Sequence, residues 1–155
     1  MNVYRLSLLK YAQAVDGAGA RIAGGRWNQK NIAIVYTAEN RSLAVLELLV
    51  HISFAQLNVQ HGFVTLQIPK DAKIDELNMN DLPSNWRDAA SIPALSAIGS
   101  RWAEGGKSVA LRVPSVIVPE ESNVLLNPTH SSFSSVIVSK PEVFKFDRRL
   151  LRLKQ

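Results

Sequence analysis

The stretch Ser42–Phe54 reads SLAVLELLVHISF, an apolar run long enough for a helix and broken in its middle by a single carboxylate, Glu47. The spacing predicts a helix that is apolar on almost every side and therefore buried, the first fixed point of an α+β reading. An ionised carboxylate moved into such surroundings costs several kcal/mol unless donors or a cation compensate it, so Glu47 needs a physical reason to be there. At about 100° per residue, Asn40, Glu47 and His51 fall on one narrow stripe, which predicts a polar line along a cleft.

Working outward from this helix, the candidates to answer the charge lie upstream. They are Tyr4-Arg5 near the start and the glycine-rich turn GGRWN, Gly24–Asn28, which carries Arg26. Two glycines let a backbone approach a ligand closely, and a planar guanidinium binds phosphate oxygens bidentately. The plain alternative is a structural ion pair between the glutamate and an arginine, with Arg26 on an ordinary surface turn.

The 155 residues, 46% of them hydrophobic, suffice for one core and suggest a single domain over the whole chain, 1–155. No run of some 18 apolar residues predicts a membrane span, and the start lacks the pattern of a signal peptide, so a cytoplasmic protein is expected. Cysteine is absent, and His51, His61 and His130 show no paired spacing, so neither a thiolate nucleophile nor a metal centre is expected. The formal charge of +5 and pI of about 9.7 favour an anionic partner without choosing among nucleic acid, a phosphorylated small molecule and an acidic protein surface.

Along the chain, Asn2–Leu6 reads as a first strand and Ala12–Gly25 as a Gly/Ala-rich loop closing over something. Ile32–Thr37 reads as a buried strand, after which Asn40 or Ser42 caps the helix. Phe63–Ile68 is a further strand, whereas Asp71–Asp88 is expected to run irregularly over the surface. Pro93–Ala103 is predicted helical and is ended by Gly105-Gly106 before a strand at Val109–Val113. Short runs at Val116–Val118, Asn123–Leu126, Ser135–Val138 and Val143–Phe146, separated by prolines, make the second half mostly sheet. The end carries a basic run, Arg148, Arg149, Arg152 and Lys154, without interleaved aromatics.

Three further positions bear on function. Ser115, in Val-Pro-Ser-Val-Ile, offers a hydroxyl after a strand, although a serine after proline ordinarily forms a turn. Asn127 precedes Pro128 at the end of another strand, where Asn-Pro commonly starts a turn. His51, four residues after Glu47, is its hydrogen-bond partner, a general base, or a structural residue near a helix end.

Taken in order, Tyr4-Arg5, GGRWN at Gly24–Asn28, YTAE at Tyr36–Glu39, SLAVLE at Ser42–Glu47, VPS ending at Ser115 and NVLLNP ending at Pro128 resemble the RES domain family over nearly the whole chain. The resemblance implies a compact α+β domain with a mixed, mostly antiparallel sheet, similar to ADP-ribosyltransferase toxins. It implies a toxin paired with an Xre-like helix-turn-helix antitoxin in an oligomeric complex, with operator binding left to the antitoxin and no membrane association. The implied substrate is NAD⁺, cleaved at the nicotinamide–ribose bond without cofactor or metal, by phosphorolysis with inorganic phosphate as co-substrate or by hydrolysis. In that reading Glu47 steadies the ribosyl cation or its 2′-hydroxyl, and Arg5 and Arg26 bind phosphates. Tyr36 packs against nicotinamide or ribose, Ser115 hydrogen-bonds the ribose or an attacking phosphate, and Asn127 is a weaker ligand contact. Two alternatives stand beside it: transfer of ADP-ribose to a cellular protein, and a basic nucleic-acid-binding module whose buried glutamate is only structural.

Overall fold

In the computed structural model, which describes residues 1–151, one mixed sheet carries the chain. The elements in order are β1 (Asn2–Leu8), α1 (Ala18–Ala23), β2 (Val35–Ala38), α2 (Arg41–Leu49), α3 (Phe54–Leu57), β3 (His61–Gln67) and β4 (Ile74–Glu76). Then follow α4 (Ile92–Gly105), β5 (Ala110–Pro114), β6 (Ser122–Leu126), β7 (Ile137–Val138), β8 (Glu142–Phe144) and α5 (Arg148–Leu151). The sheet order is β4-β5-β6-β2-β1-β3-β7, with β8 also paired to β3. Every pairing is antiparallel except β4 with β5, so the expected mixed, mostly antiparallel α+β architecture is observed.

The sheet is nearly two sheets. β1 pairs with β3 along seven residues and β2 with β6 along four, but β1 and β2 share only the pair Tyr4–Ala38. Beyond that point β1 continues with β3 alone and β2 with β6 alone.

Because residues directly opposite on paired strands point to the same face, the register assigns the two faces. One face carries Val3, Val35, Val64, Leu66, Ala110, Val124 and Leu126, all buried in a cluster covered by Ala12, Val15, Phe133 and Val136. The other carries two separate clusters. Leu111, Val113, Leu125 and Tyr36 pack with Trp27, Trp86 and Leu95 of α4, whereas Tyr4, Leu6, Ala38 and Phe63 pack with Leu43 and Ala44 of α2. The seam between these two clusters positions the site.

Several sequence expectations change for local reasons. The helix expected over Ser42–Phe54 stops at Leu49, and a second short helix starts after Ser53, whose N–H donates to Gln56 Oε1 at 2.8 Å. This is the returning half of a capping box, in the S-x-x-Q pattern of Ser53 to Gln56. α2 is also less buried than expected, since Leu46 is 38% and Val50 57% exposed. Asn40, not Ser42, is the cap, accepting from Leu43 N at 2.8 Å.

The loop Ala12–Gly25 contains α1, whose start is held by Asp16 Oδ1 accepting from Ala18 N. β2 begins only at Val35, because the Ile32 carbonyl is taken by Asn28 Nδ2 and is lost to the ladder. Val116–Val118 is a turn rather than a strand, as the N–H groups of Ile117 and Val118 both donate to Ser115 Oγ. Within Asp71–Asp88, otherwise irregular, β4 lies parallel to β5. α4 matches its prediction, with Pro93 in its first turn and Gly106 at φ 55° closing its end. Arg149 of the basic run pairs with Asp147; Arg152 and Lys154 lie outside the described residues. Among the described residues no helix is long and apolar enough to cross a membrane.

Candidate active site

Glu47 projects from α2, whose Leu43 and Ala44 fix it against Leu6 and Phe63. Its Oε1 accepts two hydrogen bonds from the far side of the seam, from Ser115 Oγ at 2.8 Å and Asn123 Nδ2 at 2.5 Å. Its Oε2 has no partner among the described residues and is not enclosed by protein. One oxygen is thus pinned and the other presented. The carboxylate is held by neutral donors, not by the arginines the sequence offered; no described cation forms an ion pair with it.

Ser115 is fully buried and its hydroxyl is saturated, donating to Glu47 and accepting from Ile117 N at 3.1 Å and Val118 N at 3.2 Å. Its position is set by β5, which ends at Pro114, and by its own N–H donating to Glu121 O. Asn123 is the residue that sequence reasoning missed. It pairs with Ala38 and Val113 across β2 and β6 and β5, and so faces α2. No alternation marks it, because Val124, Leu125 and Leu126 are buried on one face or the other, and only the register places Asn123 opposite Ala38 and Val113.

Tyr36, on the same face, donates to Asn28 Oδ1 at 2.8 Å and accepts from Trp27 N at 3.1 Å. Burial pushes its phenol up to about 12, against the Trp27 hydrogen bond and the nearby Arg26 guanidinium, which both favour the phenolate. The tyrosine is therefore tied to the GGRWN turn. That turn cannot carry a side chain at Gly25, where a Cβ would lie 2.6 Å from Tyr36 Oη. Arg26 Nη1 donates to Trp86 O at 3.1 Å and Asp88 O at 3.5 Å, leaving Nε and Nη2 without described partners.

The remaining candidates lie elsewhere. Arg5 shares the opposite face with Val3 and pairs with Val64. Its Nη1 donates to Ser7 Oγ, Tyr11 O and Ala12 O, and burial pulls its pKa below the ordinary value while Asp16 opposes that. Asn127 is buried, donating to Ala103 O at 2.8 Å and accepting from Thr129 N and Oγ1, which braces α4 to the end of β6. His51 is exposed and lies beyond the end of α2, so the expected stripe keeps only Asn40, whose Nδ2 donates to Glu121 Oε2, and Glu47.

The seam thus brings together Glu47, Ser115 and Asn123, with Tyr36 diagonal to Asn123 on the same sheet face and Arg26 near Tyr36 on the side of α4. Such a site offers a fixed anion with one oxygen unpartnered and a guanidinium to one side of it. That is the arrangement needed to stabilise a developing positive charge on a ligand that also carries negative groups.

Comparisons with known proteins identify the family. The family model described as RES domain matches residues 2–147. A Yersinia enterocolitica protein named Toxin Res is 41% identical over 152 residues, covering 97% of this chain and 99% of that one. A Sphingobium protein named Prs ADP-ribosylating toxin is 39% identical over 144 residues, covering 91% of this chain and 89% of that one. Among solved structures, the Mycobacterium tuberculosis MbcT–MbcA toxin–antitoxin complex contains a chain of like fold, with TM-score 0.75 and 15% identity, covering 99% of this chain and 87% of that chain. With the match running from the first strand to Asp147, this chain belongs to the RES domain family.

Proposed function

We propose that this chain is the toxin of a toxin–antitoxin pair and that it depletes NAD⁺ by cleaving the bond between nicotinamide and ribose. The observation that carries the reading is Glu47, pinned through Oε1 by Ser115 and Asn123 with Oε2 left free. Loss of neutral nicotinamide leaves an oxocarbenium-like ribosyl group, and a carboxylate already fixed in place stabilises that charge with no reorganisation. Arg26 takes the diphosphate with its free Nε and Nη2, and Tyr36 forms the wall against which nicotinamide or ribose packs.

In this reading Ser115 acts through Glu47, as its hydroxyl has no capacity left for substrate. Arg5 acts by anchoring the chain at Tyr11 and Ala12, where the segment that leads to the GGRWN turn begins. Asn127 braces the wall rather than touching the ligand. Inorganic phosphate is the acceptor of the ribosyl group, with water as the competing one. The partner is an Xre-like antitoxin, forming an oligomeric complex that covers the seam and supplies the operator contact; the relatives named as toxins and the toxin–antitoxin complex of like fold support a partnered toxin.

The test is nicotinamide release from NAD⁺ by the purified chain, with and without phosphate, following every product by mass spectrometry. Glu47→Gln keeps an oxygen to accept from Ser115 and Asn123, so it is expected to fold normally while losing two to three orders of magnitude in turnover. Full turnover in the folded variant would remove Glu47 from the reaction. A second reading has its own support, since one relative is named an ADP-ribosylating toxin. There the acceptor is a protein, and label from NAD⁺ would appear on a macromolecule rather than in small products.

A further inference from the structure

The sequence places two arginines next to two tryptophans in mirrored order, Arg26-Trp27 and Trp86-Arg87. Both tryptophans are buried in the same cluster, Trp27 at 3% and Trp86 at 8% exposure, which leaves the arginines beside them at the surface of one wall. The two are coupled further. Arg26 Nη1 donates to Trp86 O and Asp88 O, the carbonyls on either side of Arg87. Arg87 Nε donates at 3.2 Å to Val116 O, in the residue after Ser115, whose hydroxyl holds Glu47.

Arg26, Arg87, Ser115 and Glu47 therefore form one connected line along the seam. Neither guanidinium has a carboxylate partner among the described residues, Asp88 included. Both are held only by backbone carbonyls, which orient a cation without neutralising it. Arg26 keeps Nε and Nη2 free and Arg87 keeps Nη1 and Nη2 free. Two oriented forks with uncancelled charge fit a ligand with two adjacent anionic groups far better than one with a single charge.

We infer that Arg87 is a second substrate-binding arginine, which with Arg26 clamps the two phosphates of a dinucleotide and makes the site select a diphosphate over a mononucleoside. The inference rests on the proposed reading of the Glu47 site. Arg87 would contribute to binding and not to bond cleavage, because it reaches the Glu47 carboxylate only through backbone and Ser115.

The deciding comparison sets Arg87→Gln beside Lys107→Gln, which removes the same charge at the exposed turn after α4. It reads KM and kcat for NAD⁺ and for nicotinamide riboside, which has the same scissile bond and no phosphate. Arg87→Gln is expected to raise KM for NAD⁺ roughly tenfold, the scale of one charge-assisted hydrogen bond, with kcat and nicotinamide riboside turnover unchanged. Equal losses on both substrates, or none on NAD⁺, would overturn it. Should the wild-type chain release no nicotinamide at all, the catalytic reading fails, and calorimetry with ADP-ribose then decides the clamp by itself. Binding that is lost in Arg87→Gln and kept in Lys107→Gln supports the clamp, and binding equal in all three proteins or absent from all overturns it.

Discussion

Tyr36 shows how a single residue ties stability to the site. Its phenol sits under the GGRWN turn, donating to Asn28 Oδ1, and burial pushes its pKa from an ordinary 10.0 up to about 12. In the unfolded chain the phenol ionises near 10, so the folded state prefers the protonated form. The contribution is thus complete below pH 10 and is lost as the pH rises towards 12, by roughly 1.4 kcal/mol per pH unit. Urea unfolding at steps from pH 8 to 11.5 should show the wild-type advantage over Tyr36→Phe constant at first and shrinking above pH 10. Parallel pH profiles for the two proteins would mean that Tyr36 does not ionise on unfolding in this range. Glu47 was visible in the sequence for the same kind of reason, as one charge in an apolar helix is a physical exception. Asn123 was not, because an amide in a short strand looks ordinary until the register shows that it points under α2. Nor could the sequence say that Ser115 and Asn123 would meet a glutamate 68 and 76 residues away. The resemblance singled out the serine, and the structure shows its hydroxyl bonded to Glu47.

Among the elements, α4 sets where the GGRWN turn can sit. Gly99 faces the Trp27 backbone so closely that a Cβ there would overlap the Trp27 carbonyl, and the next residue, Ser100, accepts from Gln29 N at 2.9 Å. Helix and turn are docked backbone to backbone. Gly99→Ala should therefore destabilise by about 1–3 kcal/mol, since the obstacle is main chain that cannot swing aside. Gly105→Ala in the same helix meets nothing within 4 Å and should be neutral or stabilising by up to about 1 kcal/mol. Thermal melts of the pair test the docking; equal melting temperatures would show that the turn yields to α4 at little cost. The limits of α4 were readable, because proline in the first turn and glycine past the end are punctuation set by backbone chemistry alone. The limits of α2 and β2 were harder. There the ends depend on where side chains such as Gln56 and Asn28 send their hydrogen bonds, which periodicity does not record.

At the scale of the molecule, the two halves of the sheet meet at one residue pair, Tyr4–Ala38, and the proposed site spans that join. Glu47 stands on α2, which packs on β1 and β3 and also on Ala38 of β2, whereas Ser115 and Asn123 belong to the half built from β2, β6 and β5. Two hydrogen bonds cannot hold the halves in register, since each contributes only on the order of 1–3 kcal/mol. Apolar packing does so instead: Ala38 of β2 joins the α2 cluster, and on the opposite face Val3, Val64 and Leu66 of one half share a cluster with Val35, Ala110, Val124 and Leu126 of the other. Burial of large aliphatic side chains is worth about 1.5–3 kcal/mol each, so this shared cluster outweighs the polar bonds and should make the sheet one cooperative unit. The three tryptophans permit a direct check, because Trp27, Trp86 and Trp102 all lie in or against the cluster of the β2–β6–β5 half. Their fluorescence reports one half, while far-ultraviolet circular dichroism reports both. Urea unfolding should give coincident midpoints for the two signals. A fluorescence transition that separates from the dichroism would show that the halves open independently, with the Glu47 bonds breaking at the first step.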